Sequence, residues 1–282
     1  MKQNSTKKFD IDYICKEINI PPKPELLKKI HEETEKTNIN LQKVSTLISH
    51  DVAISAAVIR SVNSSYFGLP NKVSSIPHAI SLLCVEPTIN LVSAFLLKQT
   101  MQDKCVMFPR FWDEASCIAD FSAYFSSQLK ISEPNIQYTL GLFHNVGIPL
   151  ISQKNPDYLD ILKANKINKD KLITDIEDEF FGTSHAIVGN LVSIEWGVDS
   201  SVREAILYHH DIEEIFKYSI DAEDNLLKEM LTVLKLAEHA TDIIRTGVSS
   251  PEWEQFGMLI TEFLGTSDED IDTLIKDSGI TL

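Results

Sequence analysis

Apolar residues recur along this chain at intervals of three and four, and helix start and stop signals fall at most boundaries between those stretches. That regularity leaves little room for a sheet. Alternating strand patterns are nearly absent, and no Asn-Gly or Asp-Gly turn joins two apolar runs. Pro21-Pro22-Lys23-Pro24 is a stiff extended lead into a helix carrying Leu26, Leu27 and Ile30. Asn40 and Asp51 each suit the cap of the helix that follows. Ser75 with Pro77 just inside marks another start, and Leu82 to Met101 keeps helical spacing.

The second half repeats this pattern. Ile136 to Leu150 reads as one helix that loosens near its end, at Gly147 and Pro149. Thr183 or Ser184 caps His185 to Trp196, and Gly197 closes that helix as a left-handed C-cap. Ser201-Val202-Arg203-Glu204 has the form of a capping box and opens a helix running to His209 or His210. Asn225 to Thr246 carries Leu227, Met230, Leu231, Leu234, Ala237 and Ile244 on one broad face. Ser250-Pro251-Glu252 and Ser267-Asp268-Glu269 open two short final helices, while Ser126–Asn135 and Ser219–Asn225 read as exposed connectors. The expected fold is all-α, with about twelve to fourteen helices and boundaries good to a few residues.

Charge narrows the partners. The net charge is −15, and it divides into +1 up to Gly141 and −16 beyond it. Such a balance argues against nucleic acid and against an anionic membrane surface, both of which are met with clustered Lys and Arg. The acidic half reads either as a solvated face that keeps the chain in solution or as a surface for a basic protein partner. Cys15, Cys84, Cys105 and Cys117 form no C-x-x-C pair and read as reduced thiols, those in apolar stretches as core. The polar start Met1–Lys8 has no apolar signal run, so the cytoplasm is the expected location.

Four histidines stand out for chemistry. His144 lies in Gly141-Leu142-Phe143-His144-Asn145-Val146-Gly147, His185 opens a helix, and His209-His210 closes one. Three helices that each bring an imidazole near one end could converge on one pocket, and neutral imidazole binds Zn, Fe, Mn or Ni. Histidines at helix C-termini also favour the helix dipole without any ligand. His31, His50, His78 and His239 sit in polar or capping contexts and are given no role. Trp112, Trp196 and Trp253 fall in helix patterns as core or interface anchors, and Tyr66-Phe67 before Gly68 reads as core packing at a turn. No G-x-x-x-x-G-K-[ST] loop, G-x-G-x-x-G turn or G-x-S-x-G elbow occurs.

Phe111-Trp112, His144-Asn145, His185 with Val188-Gly189, and Tyr208-His209-His210 follow the order of an HD-superfamily phosphohydrolase core. Upstream, Asp51-Val52-Ala53, Ser61-Val62-Asn63-Ser64, Tyr66-Phe67-Gly68, Val73-Ser74-Ser75-Ile76 and Ala79-Ile80-Ser81-Leu82-Leu83 are similar to the other part of the HDOD domain. From about Ile20 to Asp211 the chain therefore resembles that HD-related output domain of bacterial signalling proteins. The resemblance implies a lead (1–19), an N-terminal helical subdomain (20–105), an HD-like core (106–215) and a C-terminal helical extension (216–282). It also implies a signalling setting, tied to motility, biofilm or second-messenger control.

The departures from the family pattern set the functional expectation. An HD hydrolase is similar to a metal clamp in which an adjacent His-Asp pair supplies ligands, and a carboxylate there can bridge two cations. Here the pair reads His144-Asn145, and Glu114 stands where the first His of the superfold is expected. Glu114, His144, Asn145, His185, His209 and His210 thus form a vestigial pocket, with no catalytic residue, metal ligand or cofactor assigned. The expectation is a non-catalytic regulatory module that binds protein partners. The alternatives are a metal-dependent phosphohydrolase of nucleotides or cyclic dinucleotides, and a nucleotide sensor without turnover.

Overall fold

The computed structural model describes residues 14, 18–63, 72–101, 110–165, 171–218 and 222–281. Among them are sixteen helices and no strand, so the class is all-α as predicted, with a helix count slightly above the predicted one. Cys15, Cys105, Met1–Lys8, Tyr66–Gly68 and the boundary expected between residues 105 and 106 lie outside the described residues.

In the first half, α1 (Glu25–Thr34) follows the proline lead, and α2 (Leu41–Ser49) and α3 (Val52–Val62) start where expected. The side chains of Asn40 and Asp51 accept from the amides of Lys43 and Ile54, each at 3.0 Å. The stretch from Leu82 to Met101 is two helices rather than one. Cys84 takes a φ of 68° and separates α4 (Ile76–Leu83) from α5 (Val85–Met101), and this thiol is exposed while Cys117 is buried. The first helices stack in sequence, α1 on α2, α2 and α3 on α4, and α3 and α4 on α5.

The second half holds α6 (Phe111–Leu129), α7 (Pro134–Phe143), α8 (Gly147–Lys154), α9 (Tyr158–Asn165), α10 (Ile173–Phe181) and α11 (His185–Trp196). It continues with α12 (Ser200–Tyr208), α13 (Ile212–Tyr218), α14 (Ala222–Thr246), α15 (Pro251–Leu264) and α16 (Asp268–Ser278). Four local expectations change, one of them the connector expected over Ser219–Asn225, whose last four residues begin α14 and whose others lie outside the described residues. The predicted helix from Ile136 to Leu150 breaks at His144–Val146 into α7 and α8. The connector expected over Ser126–Asn135 shrinks to residues 130–133, with Ser126 buried in α6 and donating to the Ile131 carbonyl at 2.9 Å. The start of α12 is capped not by Ser201 but by Asp199, whose Oδ1 accepts from the Ser201 amide at 2.8 Å and from its hydroxyl.

A central trio of α6, α7 and α14 carries the second half, with α5 and α12 packed on α7. Glycine sets two of the approaches. A Cβ on Gly141 would come within 2.7 Å of the Ala119 Cα, so α6 and α7 meet backbone to backbone. One on Gly147 would stand 2.1 Å from the His185 carbonyl oxygen, which fixes the start of α8 against the start of α11. One apolar core runs through both halves, from Ile14 to Ile275, with Phe121, Phe125, Phe143 and Trp196 fully buried in it. The Trp196 indole donates to the Pro21 carbonyl at 2.7 Å, tying the lead to the end of α11. His239 is not in the polar context expected of it: it is buried and stacks on Trp253, with ring centroids 4.1 Å apart.

Candidate functional site

The four singled-out histidines all sit where a helix begins or ends, and each is locked by its Nδ1 atom. His144, the C-cap of α7, is bonded through Nδ1 to the Gly141 carbonyl at 2.8 Å. His209, the C-cap of α12, does the same to Ile206 at 2.7 Å. His185 opens α11 under the Ser184 cap, and its backbone amide and Nδ1 both reach Glu177 Oε2 of α10, at 2.8 and 2.7 Å. His210 Nδ1 meets Glu252 Oε1 of α15 at 2.6 Å. A carbonyl or carboxylate oxygen can only accept, so each Nδ1 carries a proton and each ring turns its Nε2 inward.

Those Nε2 atoms converge. His185 Nε2 lies 3.2 Å from His209 Nε2 and 3.0 Å from His210 Nε2. His144 Nε2 makes no hydrogen bond and faces Glu238 Oε1 of α14 at 3.3 Å, with its ring edge-on to His209. His185 and His209 are wholly buried, His144 nearly so, and His210 is 8% exposed. Burial and the neighbouring His210 and His185 push the His209 pKa well below the ordinary imidazole value. Burial also lowers that of His210, despite Glu252 beside it.

A ring of charge backs the histidines. Glu177 is fully buried, and its second oxygen accepts a short hydrogen bond from the Tyr158 hydroxyl of α9. Lys235 of α14 is buried with Nζ 2.7 Å from Glu238 Oε2 and 2.6 Å from Glu252 Oε2. Burial opposes ionisation of Glu238, but Lys235 and His144 outweigh it and hold the carboxyl at about 2. Glu252 is likewise held well below the usual carboxylate range by His210 and Lys235 against the cost of burial.

Glu114 does not join the histidines. It stands half-exposed and pairs with Arg245 Nη1 at 2.8 Å, while Arg245 Nη2 holds Asp242. Asn145 is half-buried in the turn after His144, where its backbone carbonyl accepts from the Ile148 amide. So the predicted set divides: three histidines share one centre, His144 flanks it toward Glu238, and Glu114 and Asn145 are not among the converging donors.

The donor set fits a divalent transition metal. Two nitrogens bound to one tetrahedral zinc at the usual bond length stand about 3.3 Å apart, close to the separations between these Nε2 atoms. Imidazole suits Zn, Cu, Fe and Ni, and ligating histidines usually give the other ring N–H to a carboxylate or carbonyl. His185, His209 and His210 would hold the ion, and Glu177, the Ile206 carbonyl and Glu252 would fix their rings. That fit departs from the expectation of no metal ligand, which weighed the changed His144-Asn145 pair and Glu114 rather than the histidines that remain.

The HDOD domain model matches residues 20–212. The chain belongs to the HDOD family. Its fold is similar to an HDOD domain protein of unknown function from Geobacter sulfurreducens, at 19% identity and a TM-score of 0.61, with 94% of this chain and 91% of that one covered. It is also similar to a Shewanella amazonensis protein provisionally named a phosphohydrolase, at 19% identity and a TM-score of 0.62, covering 92% and 89%. At these identities the likeness speaks for the HDOD fold. An uncharacterized protein of Treponema pallidum (strain Nichols) is 23% identical over 216 residues, which cover 74% of this chain and 41% of that one. The match therefore takes in 41% of that relative's length.

Sequence reasoning missed Tyr158, Glu177, Lys235, Glu238 and Glu252. A signal for two of them was present. Lys235 and Glu238 interrupt the apolar face of α14, four residues after Leu231 and Leu234, where an amphipathic helix turns toward its core.

Proposed function

We propose that this HDOD chain is a non-catalytic regulatory module whose histidine pocket holds one metal ion as part of the scaffold and whose outer surface binds protein partners. The observation that carries this reading is the burial of the donor atoms. Structural metal sites are closed, whereas catalytic ones keep a position open to water and substrate, and here His185 and His209 have no exposed surface. Asn145 supports it: the amide keeps the shape of a carboxylate without the charge that would bridge two cations. A bound ion would supply positive charge between three converging lone pairs and so join α11 to α12. Partner binding draws on the family's place in signalling chains and on the strongly acidic second half, which suits a basic protein surface rather than nucleic acid or membrane. Among the described residues no helix is long and apolar enough to cross a membrane.

The test is turnover. Cyclic dinucleotides, nucleoside triphosphates and bis(4-nitrophenyl) phosphate are each incubated with the chain and Mn²⁺, Fe²⁺ or Zn²⁺. The expected rate equals that of His185→Ala. Hydrolysis that exceeds it and disappears in both His144→Ala and His185→Ala would establish the opposing reading, a metal-dependent phosphohydrolase, which the four inward-facing nitrogens favour.

A further inference from the structure

The three-histidine reading leaves Lys235 unused. A buried ammonium costs several kcal/mol of lost hydration unless its surroundings are matched to it. Methionine would fill the same volume on α14 without that cost. The surroundings here are matched in a specific way. Two carboxylate oxygens, Glu238 Oε2 and Glu252 Oε2, contact Nζ at 2.7 and 2.6 Å. The other Glu238 oxygen faces His144 Nε2 at 3.3 Å without a hydrogen bond, while the Nδ1 of that ring is committed to the Gly141 carbonyl. Two carboxylates and one imidazole, two of the three already touching one ammonium, make a donor set of the kind that takes a divalent ion.

Charge gives the same count. Glu177, which is buried, and the partly exposed Glu238 and Glu252 bring three negative charges to the pocket and Lys235 one positive, so a single divalent ion leaves it neutral. A second divalent ion would leave two positive charges uncompensated beside the buried Lys235 and Glu177.

Building on the three-histidine site, we propose that the Lys235 ammonium is a built-in cation occupying the place of a second metal ion beside it, between Glu238, Glu252 and His144. The lysine thereby limits the pocket to one ion. Replacing its amine with empty space opens a second metal site.

The full chain and Lys235→Ala are stripped with chelator, loaded with Mn²⁺, desalted and assayed for manganese per chain. The quantity read is the difference between them. A gain of about one ion in Lys235→Ala, abolished again in Lys235→Ala/His144→Ala, is expected. An unchanged content in the folded variant overturns the inference. Removing the lysine leaves two facing carboxylates, so the stripped variant is also refolded by Mn²⁺ titration followed by circular dichroism. Recovery that needs one equivalent more than the wild type binds supports the proposal, and recovery with no extra equivalent, or none at all, overturns it. The three-histidine reading is tested separately by loading the wild type with Zn²⁺ in the same way, because a wild type that retains no zinc removes that reading while the manganese gain in the variant still decides the role of Lys235.

Discussion

The Nε2 atoms of His185 and His210 face one another at 3.0 Å while both Nδ1 atoms are committed to carboxylates, those of Glu177 and Glu252. With the ring protons on the outside, nothing in two neutral imidazoles can bond across that gap. Either a proton or a metal ion must join them. Burial and the surrounding rings make the proton costly at His209 and His210, and a metal ion satisfies three lone pairs at once.

Elemental analysis of untagged protein purified without chelators is expected to find about one Zn, Fe or Ni per chain. His185→Ala and His209→Ala should each lower it to background. Metal-free wild-type protein would remove the three-histidine site from consideration.

Glu177→Gln keeps the size of a side chain that touches His185 twice and Tyr158 once, but removes its charge. Loss of such an outer partner costs roughly 10- to 100-fold in metal affinity. Competition with a chromophoric chelator would measure this, and an affinity equal to wild type would mean that His185 is oriented without Glu177.

In metal-stripped protein, stability should fall as pH drops below the ordinary histidine value. His209 and His210 have lowered folded-state pKa values, so the unfolded chain takes up protons first as pH falls through about 6.5. Each such group contributes a slope of up to ~1.4 kcal/mol per pH unit between that value and its folded one. A second decline should begin below the ordinary glutamate value, where the depressed carboxyls of Glu238 and Glu252 lose their advantage over the unfolded state. Urea midpoints measured from about pH 8 to about pH 3 check both declines, and a midpoint that is flat between about pH 7.5 and 5.5 contradicts buried neutral imidazoles at His209 and His210.

Gly147→Ala should be severely destabilising, since its methyl group would have to displace the His185 backbone. Overpacking against backbone costs about 1–3 kcal/mol or more. Thermal unfolding reads the loss, and metal content should fall with it because His185 is the residue displaced. An unchanged melting temperature would show that α8 moves freely off α11.

The caps of this fold were legible because capping is local chemistry. Asn40, Asp51, Ser184, Ser250 and Ser267 each accept from an amide two or three residues beyond the helix start, as their sequence positions imply. The exception is instructive. Ser201 and Glu204 have capping-box spacing, but Asp199 lies just upstream and its ionised carboxylate takes the amide first. The break at Cys84 was not legible, because a non-glycine residue at positive φ carries no mark in the sequence. In the pocket, the histidines could be named from their places at helix ends. The carboxylates could not. Glu177 and Glu252 are ordinary members of a half rich in acids, and only the packing of α10 and α15 sets them apart.

The bond from the Trp196 indole to the Pro21 carbonyl spans 175 residues. A ribosome adding about 5–20 residues per second needs roughly 10–35 s to travel that distance. During that interval the proline lead has emerged without its partner, and the first helices must assemble against one another while their anchor has yet to be synthesised. The proline lead therefore waits for the end of α11 before it can be fastened, and the helices beyond α11 close the second half after it.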